Sequence, residues 1–304
     1  MSEYLDSGPE HIVVDSSITV IAGSAALTVL DRSVTTNLIE MKCLDKKRTL
    51  FCDANGRVED IATVCVVDDR ILVISSYEFG DETRRKLVDG IGWDEECTLL
   101  MGDAAISHIS VLCNDSNDVI SQFGFEKHIF SSDKMLEHGD LLFSKTEFDS
   151  CELLEILSPK AKLSSVLGTL NNLGSKLASN ERWNFLRISL GANSIDDAKG
   201  NLPNELGLDE LVSLDKGCYP GQEIHARIDS RGRTVRNLVR IVSESPVEIG
   251  THKVGGIGKI TVTSSQFISG VSLSMAMCPI IDRPLESITL DDGNEAIIEP
   301  LTFP

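Results

Sequence analysis

After Thr234 the chain breaks into short β-rich runs: Val235 to Val242, Lys259 to Thr263, Val271 to Met277, Ile288 to Leu290 and Ala296 to Ile298. Gly, Pro and Asp turns separate them. That rhythm is the signature of a small all-β barrel or sandwich of about 70 residues. It places a domain boundary near residue 233, giving a region 1–233 and a C-terminal β unit 234–304. Gly255-Gly256-Ile257-Gly258 precedes a strand rather than a helix, so it reads as a barrel turn and not as a phosphate loop.

The first 233 residues read as mixed helix and strand. Ser24 is expected to cap a helix with Leu27, Leu30, Val34 and Leu38 on one stripe. Arg48 to Asp53 reads as a strand, Ala54-Asn55-Gly56 as a turn, and Val58 to Val67 with Arg70 to Ser75 as a hairpin about Asp68-Asp69. Helical spacing returns at Asp81 to Ile91. A strand is expected near Thr98 to Met101, and a helix near Asp103 to Val111. A further helix is expected from Ser158 to about Asn172, capped by Ser158 with Pro159 in its first position. Asn180 to Leu190 reads as another helix or as a helix running into a strand, and Gly191 to Pro203 as a loop.

The 304 residues suggest two or three packed units, and 41% hydrophobic with 25% charged residues is ordinary for a chain with a sizeable core. The longest apolar runs, such as Ile71-Leu72-Val73-Ile74, are about four residues, against the ~18 a membrane helix needs. The acidic start Met1-Ser2-Glu3-Tyr4-Leu5-Asp6 lacks the pattern of a targeting leader, so a cytoplasmic protein is expected. A net charge of −19 disfavours direct nucleic-acid binding. The eight cysteines (Cys43, Cys52, Cys65, Cys97, Cys113, Cys151, Cys218, Cys278) contain no Cys-x-x-Cys pair. No closed metal ligand set is legible, and most of these thiols read as packing.

One segment stands apart: Asp215-Lys216-Gly217-Cys218-Tyr219-Pro220-Gly221-Gln222-Glu223-Ile224-His225-Ala226-Arg227. Pro220 suits the first position of a helix, which sets Gln222 and Glu223 in its first turn. Cys218 then lies just ahead of a helix start and beside Lys216, two features that favour thiolate. Gly217 and Gly221 permit close approach of a ligand or of partner backbone. His225 is a candidate base or co-ligand. Residues 216–240 carry Lys216, Arg227, Arg231, Arg233, Arg236 and Arg240 against Glu223 and Asp229, a net of +4 in a chain whose remainder carries −23. Such an island suits an anion; the alternative is that its arginines pair with the chain's own carboxylates.

The run Lys216-Gly217-Cys218-Tyr219-Pro220-Gly221-Gln222-Glu223 resembles the signature of the YgfZ family, folate-binding relatives of the glycine cleavage T-protein (aminomethyltransferase). Asp53-Ala54-Asn55-Gly56-Arg57-Val58, Asn201 to Leu208 and Lys259 to Ser264 resemble further family segments. The resemblance implies an α+β fold in which two intertwined halves form a folate-binding region, followed by a C-terminal β-barrel. It implies tetrahydrofolate as ligand, and iron–sulfur assembly proteins or client enzymes as partners. The implied role is support of iron–sulfur enzymes and, through them, of tRNA modification.

The family's functional cysteine carries over to Cys218. Lys216, Gly217, Tyr219, Gly221, Gln222 and Glu223 match the rest of the signature, with Arg187 and Glu205 as further candidates for holding the ligand. Arg227, Arg231 and Arg236 suit the glutamate tail of a folate. The catalytic Asp of aminomethyltransferases would fall near Asp81, with Glu82 competing for the position. Ser189 stands where those enzymes carry a pterin-holding Glu, which leaves folate-dependent one-carbon transfer as the alternative activity.

Overall fold

The computed structural model describes residues 8–125, 131–232, 234–280, 287–291 and 293–301. The chain begins by crossing from one sheet to another: β1 (Glu10–Val14) and β2 (Ser16–Ala22) are separated by Asp15 alone. After β2 come helix α1 (Ala26–Asp31), β3 (Lys46–Cys52), β4 (Val58–Val67), β5 (Arg70–Ser76), helix α2 (Gly80–Asp89) and β6 (Thr98–Met101). These strands form a five-stranded sheet in the order β3-β4-β5-β2-β6.

The next group is β7 (Ile106–Cys113), helix α3 (Ser116–Ser121), β8 (Leu136–His138) and β9 (Leu141–Phe148). It continues with β10 (Cys151–Pro159), helix α4 (Leu163–Asn172) and β11 (Lys176–Leu177). The sheet order is β11-β1-β7-β10-β9-β8, so the chain's first described strand sits inside the second sheet. That exchange intertwines the two α+β halves.

Helices α5 (Asn180–Leu190), α6 (Ile195–Ala198) and α7 (Gln222–Arg231) lead into the last sheet. Its strands are β12 (Arg236–Ser243), β13 (Gly250–Val254), β14 (Gly258–Ile268), β15 (Val271–Pro279), β16 (Ile288–Thr289) and β17 (Glu295–Pro300). In the order β13-β14-β15-β12-β17-β16 they make a nearly closed, barrel-like sheet.

Each α+β half covers its outer face with its own helices: Leu30, Phe51, Val64 and Leu87 pack in the first, and Val119, Phe143, Leu154 and Val166 in the second. The inner faces meet through Ile18, Cys65, Leu72, Leu142 and Leu157. A third cluster joins Leu50, Cys52, Phe185 and Leu206 to Leu238, Met275 and Met277 of the barrel. Burying such side chains contributes about 1.5–3 kcal/mol each, so the barrel is fused to the rest by a shared core.

Four local expectations change. The smallest is that the loop expected over Gly191 to Pro203 contains helix α6, where Ser194 N and Oγ donate to Asp197 across the first turn. The helix expected over Asp103 to Val111 is the central strand β7, flanked by β1 and β10. It is buried along nearly its whole length, which erases the alternation that would have identified it. Ser158 and Pro159 end β10 instead of starting a helix; a 3-10 turn follows, and α4 begins at Leu163. The helix expected after Ser24 stops at Asp31, while Val34 and Leu38 reach the same core from irregular backbone. Ser24 donates to Glu96 and caps nothing. The Asp68-Asp69 hairpin and the Ala54-Asn55-Gly56 turn form as expected, with Asp68 at φ 53 and Gly56 at φ 73.

Candidate functional site

The signature loop is built by side chains that turn inward. Lys216 Nζ donates to the carbonyl oxygens of Asp31 (2.6 Å), Val34 (3.0 Å) and Thr36 (2.7 Å) and lies 3.0 Å from Asp31 Oδ1. Its side chain is 1% exposed, and burial pushes its ammonium below the ordinary lysine range against the pull of Asp31. These acceptors are carbonyls at and just beyond the end of α1, where a cation is favoured. Lys216 therefore anchors the loop to α1 and does not turn towards Cys218 to activate it.

Tyr219 is buried, and burial raises its phenol to about 12. Its hydroxyl lies 3.4 Å from Nδ1 of His225, whose Nε2 lies 2.8 Å from the Gly56 carbonyl. That carbonyl can only accept, so Nε2 carries the proton and Nδ1 accepts from Tyr219. Burial lowers the His225 pKa, outweighing the Gly56 carbonyl and the Asp53 charge.

Gly221 lies just ahead of α7 at φ 81. A methyl added there would stand 2.6 Å from Gly56 N and 2.7 Å from Asp53 O. Pro220 is consequently two residues outside the helix and not in its first position, because the left-handed turn at Gly221 intervenes. Gln222 Nε2 folds back onto Lys216 O at 3.3 Å. A methyl added at Gly217 would meet nothing within 4 Å, and Glu223 and Arg227 are exposed.

The Asp53–Gly56 turn is equally well determined. Asn55 N and Arg57 N each donate to Asp53 Oδ1 at 2.8 Å. Burial disfavours the Asp53 charge, yet these donors and the Arg57 cation hold its carboxyl below the usual range.

Cys218 is exposed, flanked by the inward-turning Lys216 and Tyr219. Cys43 is the other exposed thiol; Cys97 is half-buried and the remaining five are buried. Burial raises Cys52, Cys65 and Cys113 to about 12, which leaves them inert.

Two hollows adjoin this assembly. A cleft of about 450 Å³ is lined by Pro203, Asn204, Leu214, His225, Ile228 and Asp229 among others, where α7 meets the start of the barrel region. Asn204 Oδ1 is buried there with no hydrogen-bond partner among the described residues. A second hollow of about 590 Å³ is lined by Arg32, Phe51, Cys52, Asp53, Lys86 and Pro220 among others.

Several candidates lie in other settings. Arg187 Nη1 pairs with Asp197 at 2.6 Å, and its other donors reach Asn184, Ala192 O and Ser264. Asp197 also accepts from Thr263 and Ser264 at 2.7 Å, so the network ties α5 and α6 to β14. Glu205 pairs with Arg236 at 2.8 Å, and Arg240 pairs with Glu299 and donates to Ser189 O. Asp81 is 91% exposed in the first turn of α2 and pairs with Arg84 at 2.9 Å.

The arginine island thus dissolves in part: Lys216, Arg236 and Arg240 are internal staples. Arg227 has no ion-pair partner among the described residues. The side chains of Arg231 and Arg233 lie outside them.

A polar seam between the two sheets was not legible in the sequence. Lys46 and Arg48 share one face of β3; Lys46 Nζ donates to Lys145 O at 2.8 Å, and burial lowers both cations. His108 lies 2.7 Å from Ser16 Oγ and 3.3 Å from Glu155 Oε1. Burial works against the Glu155 charge, but His108 and Lys46 bring its pKa to about 2. The i,i+2 spacing of Lys46 and Arg48 on β3 was the available signal, masked because charged pairs at that spacing read as solvated.

Among the described residues no three potential ligands cluster as a metal site, and no helix is long and apolar enough to cross a membrane.

No family model matches the chain. It is 24% identical over 236 residues to a protein of Klebsiella pneumoniae named tRNA-modifying protein YgfZ, covering 74% of this chain and 68% of that one. A protein of the same name from Pectobacterium carotovorum is 37% identical over 91 residues, 28% of this chain and 26% of the relative. The fold is similar to the glycine cleavage system aminomethyltransferase T of Bartonella henselae, with TM-score 0.82 and 13% identity, covering 99% of this chain and 87% of that one. The likeness seen in the signature is thus met by relatives spanning most of the chain and by an aminomethyltransferase-like fold.

Proposed function

We propose that this chain is a YgfZ-like tetrahydrofolate-binding protein that supports iron–sulfur enzymes, and through them tRNA modification, with Cys218 as its working group. One observation carries the reading. Lys216, Tyr219, Gly221 and Gln222 are consumed in holding the signature loop, and Cys218 between them projects outward. A loop held this firmly around an exposed thiol is preorganised for contact with a partner.

The cleft fits a reduced folate in size and chemistry. Asn204 Oδ1 is a buried acceptor without a donor, suited to a pterin N–H, and Asp229 offers a second acceptor. Leu214 and Ile228 supply apolar wall for the ring. Arg227, exposed on the same helix as Ile228 and unpaired among the described residues, offers a guanidinium outside the cleft for the glutamate tail. Bound tetrahydrofolate would supply a carrier for a one-carbon unit. A single exposed thiol in the signature loop cannot complete a four-thiolate cluster site, so the thiol would act on a partner's cluster. Direct nucleic-acid binding is not part of the reading, given the −19 charge. One-carbon transfer would need a carboxylate at the folate; Asp81, paired with Arg84, is not among the cleft-lining residues described.

The test is anaerobic calorimetry with tetrahydrofolate on the wild type, Asn204→Leu and Arg227→Ala, alongside support of iron–sulfur enzyme activity by Cys218→Ala in cells. Weaker binding by both the Asn204 and the Arg227 variants, and loss of support with an unchanged fold in the cysteine variant, are expected. Undetectable folate binding by the wild type, or full support by Cys218→Ala, would sink the reading.

A further inference from the structure

His225 lies outside the eight-residue signature, yet it contacts both parts of the chain that set the pose of the Cys218 loop. Its Nε2–H reaches the Gly56 carbonyl at 2.8 Å, and its Nδ1 faces the Tyr219 hydroxyl at 3.4 Å. The fit is close: a methyl on Gly56 would stand 2.8 Å from Nε2 and 2.9 Å from Cδ2. Cys218 precedes Tyr219 directly and follows Lys216 by two residues. The loop therefore has two anchors, one on the carbonyls after α1 and one on His225.

We infer that His225 is a positioning residue for Cys218: its ring clamps α7 onto the Asp53–Gly56 turn and, through Tyr219, holds the loop that carries the thiol. The inference deepens the reading that Cys218 is the working group, and its test does not depend on folate or on iron–sulfur activity.

Only the Nδ1 bond to Tyr219 requires the neutral ring; the Nε2–H bond to the Gly56 carbonyl is kept, and strengthened, by protonation. A proton on Nδ1 would turn that acceptor into a donor. Tyr219 could then accept only by swinging its own O–H off the ring, where no other acceptor lies among the described residues, and the Tyr219 anchor weakens. The groups facing the ring are the Asp53 carboxylate on the turn and Tyr219 on the loop. Asp209 and Asp229 line the same cleft, and Glu223 and Arg227 on its own helix are exposed. The Gly56 carbonyl and the Asp53 charge favour protonation and burial opposes it, and burial wins, so the ring is neutral at neutral pH. In acid the Tyr219 half of the clamp loosens while the Gly56 half stays.

Cys43, also exposed, supplies an internal reference. Alkylation of both thiols by iodoacetamide, resolved by peptide mass spectrometry, is measured as the Cys218/Cys43 rate ratio between about pH 5 and pH 8. Taking a ratio cancels the common rise in thiolate with pH. In the wild type the ratio is expected to change at least about threefold on acidification through the histidine range. His225→Phe, which keeps a ring but neither bond, is expected to give a pH-independent ratio at or beyond the acid-side value.

Tyr219→Phe removes only the hydroxyl and should abolish the pH dependence without unfolding the chain, so it decides the matter if His225→Phe does not fold. A flat wild-type ratio, or a Tyr219→Phe profile that matches a pH-dependent wild type, overturns the inference. Loss of folate binding with this pattern intact would remove the proposed function and leave the clamp standing.

Discussion

Gly221→Ala is expected to destabilise the protein by about 2–4 kcal/mol, while Gly217→Ala, four residues away in the same loop, changes stability by less than about 1 kcal/mol. At Gly221 two costs add. The backbone sits at φ 81, where a Cβ costs roughly 1–2 kcal/mol. The new methyl would also lie 2.7 Å from Asp53 O and 2.6 Å from Gly56 N, both backbone atoms that cannot swing aside. Separating α7 from the turn stretches the His225–Gly56 hydrogen bond, which contributes about 1 kcal/mol. At Gly217 a methyl meets nothing within 4 Å. Urea unfolding followed by circular dichroism, with unchanged m-values, gives the comparison directly. If the two alanine variants unfold within about 0.5 kcal/mol of each other, the close packing of the signature loop on the Asp53–Gly56 turn is not what holds it.

Asp197→Ala leaves the Arg187 guanidinium half-buried without its carboxylate and should cost about 3–5 kcal/mol; adding Arg187→Met should restore part of that in the same urea assay, and no restoration would argue against the ion pair. Lys216→Met strands three carbonyl oxygens and Asp31, so a loss of about 3 kcal/mol or more is expected with a lowered Tm. A variant as stable as wild type would mean that the loop is anchored by something else. His11 and His225 have lowered pKa values in the folded chain, chiefly from burial. The unfolded chain takes up these protons first, so stability falls as pH drops below about 6.5. Asp197 adds a second loss at lower pH: burial opposes its charge, but Arg187, Thr263 and Ser264 depress its pKa, so its contribution is present above about pH 4 and disappears below. A thermal midpoint independent of pH between about 5 and 7 would contradict the histidine assignment.

Much of this architecture is written in local residue patterns. The β-rich runs after Thr234 form β12, β14, β15, β16 and β17, because alternating residues with Gly, Pro and Asp turns leave little choice but antiparallel strands. The Asp68-Asp69 hairpin is equally plain. β7 reads as helix because a central strand buried along nearly its whole length loses its period of two. β13, with exposed Thr251 and Lys253 alternating with buried His252 and Val254, is too short and polar to announce itself as a strand.

The signature loop divides the same way. Its residue types alone single out Cys218, since a cysteine among glycines ahead of a helix is unusual on chemical grounds. They do not say which way each side chain points. Lys216 looks like a neighbour that would activate the thiol, and folding sends it into the carbonyls beyond α1. Arg236 and Arg240 look like part of an anion site, and Glu205 and Glu299, brought close only by the packing of the barrel region, absorb them. The sequence by itself determined the element types, the likeness to a family and the one cysteine worth testing, because propensity, turn chemistry and spacing are local. Which charges remain free, which glycine meets a second turn and which histidine holds the loop were decided by tertiary structure. Each depends on a partner that only folding brings near, as Asp31 is brought to Lys216 and Gly56 to Gly221 and His225.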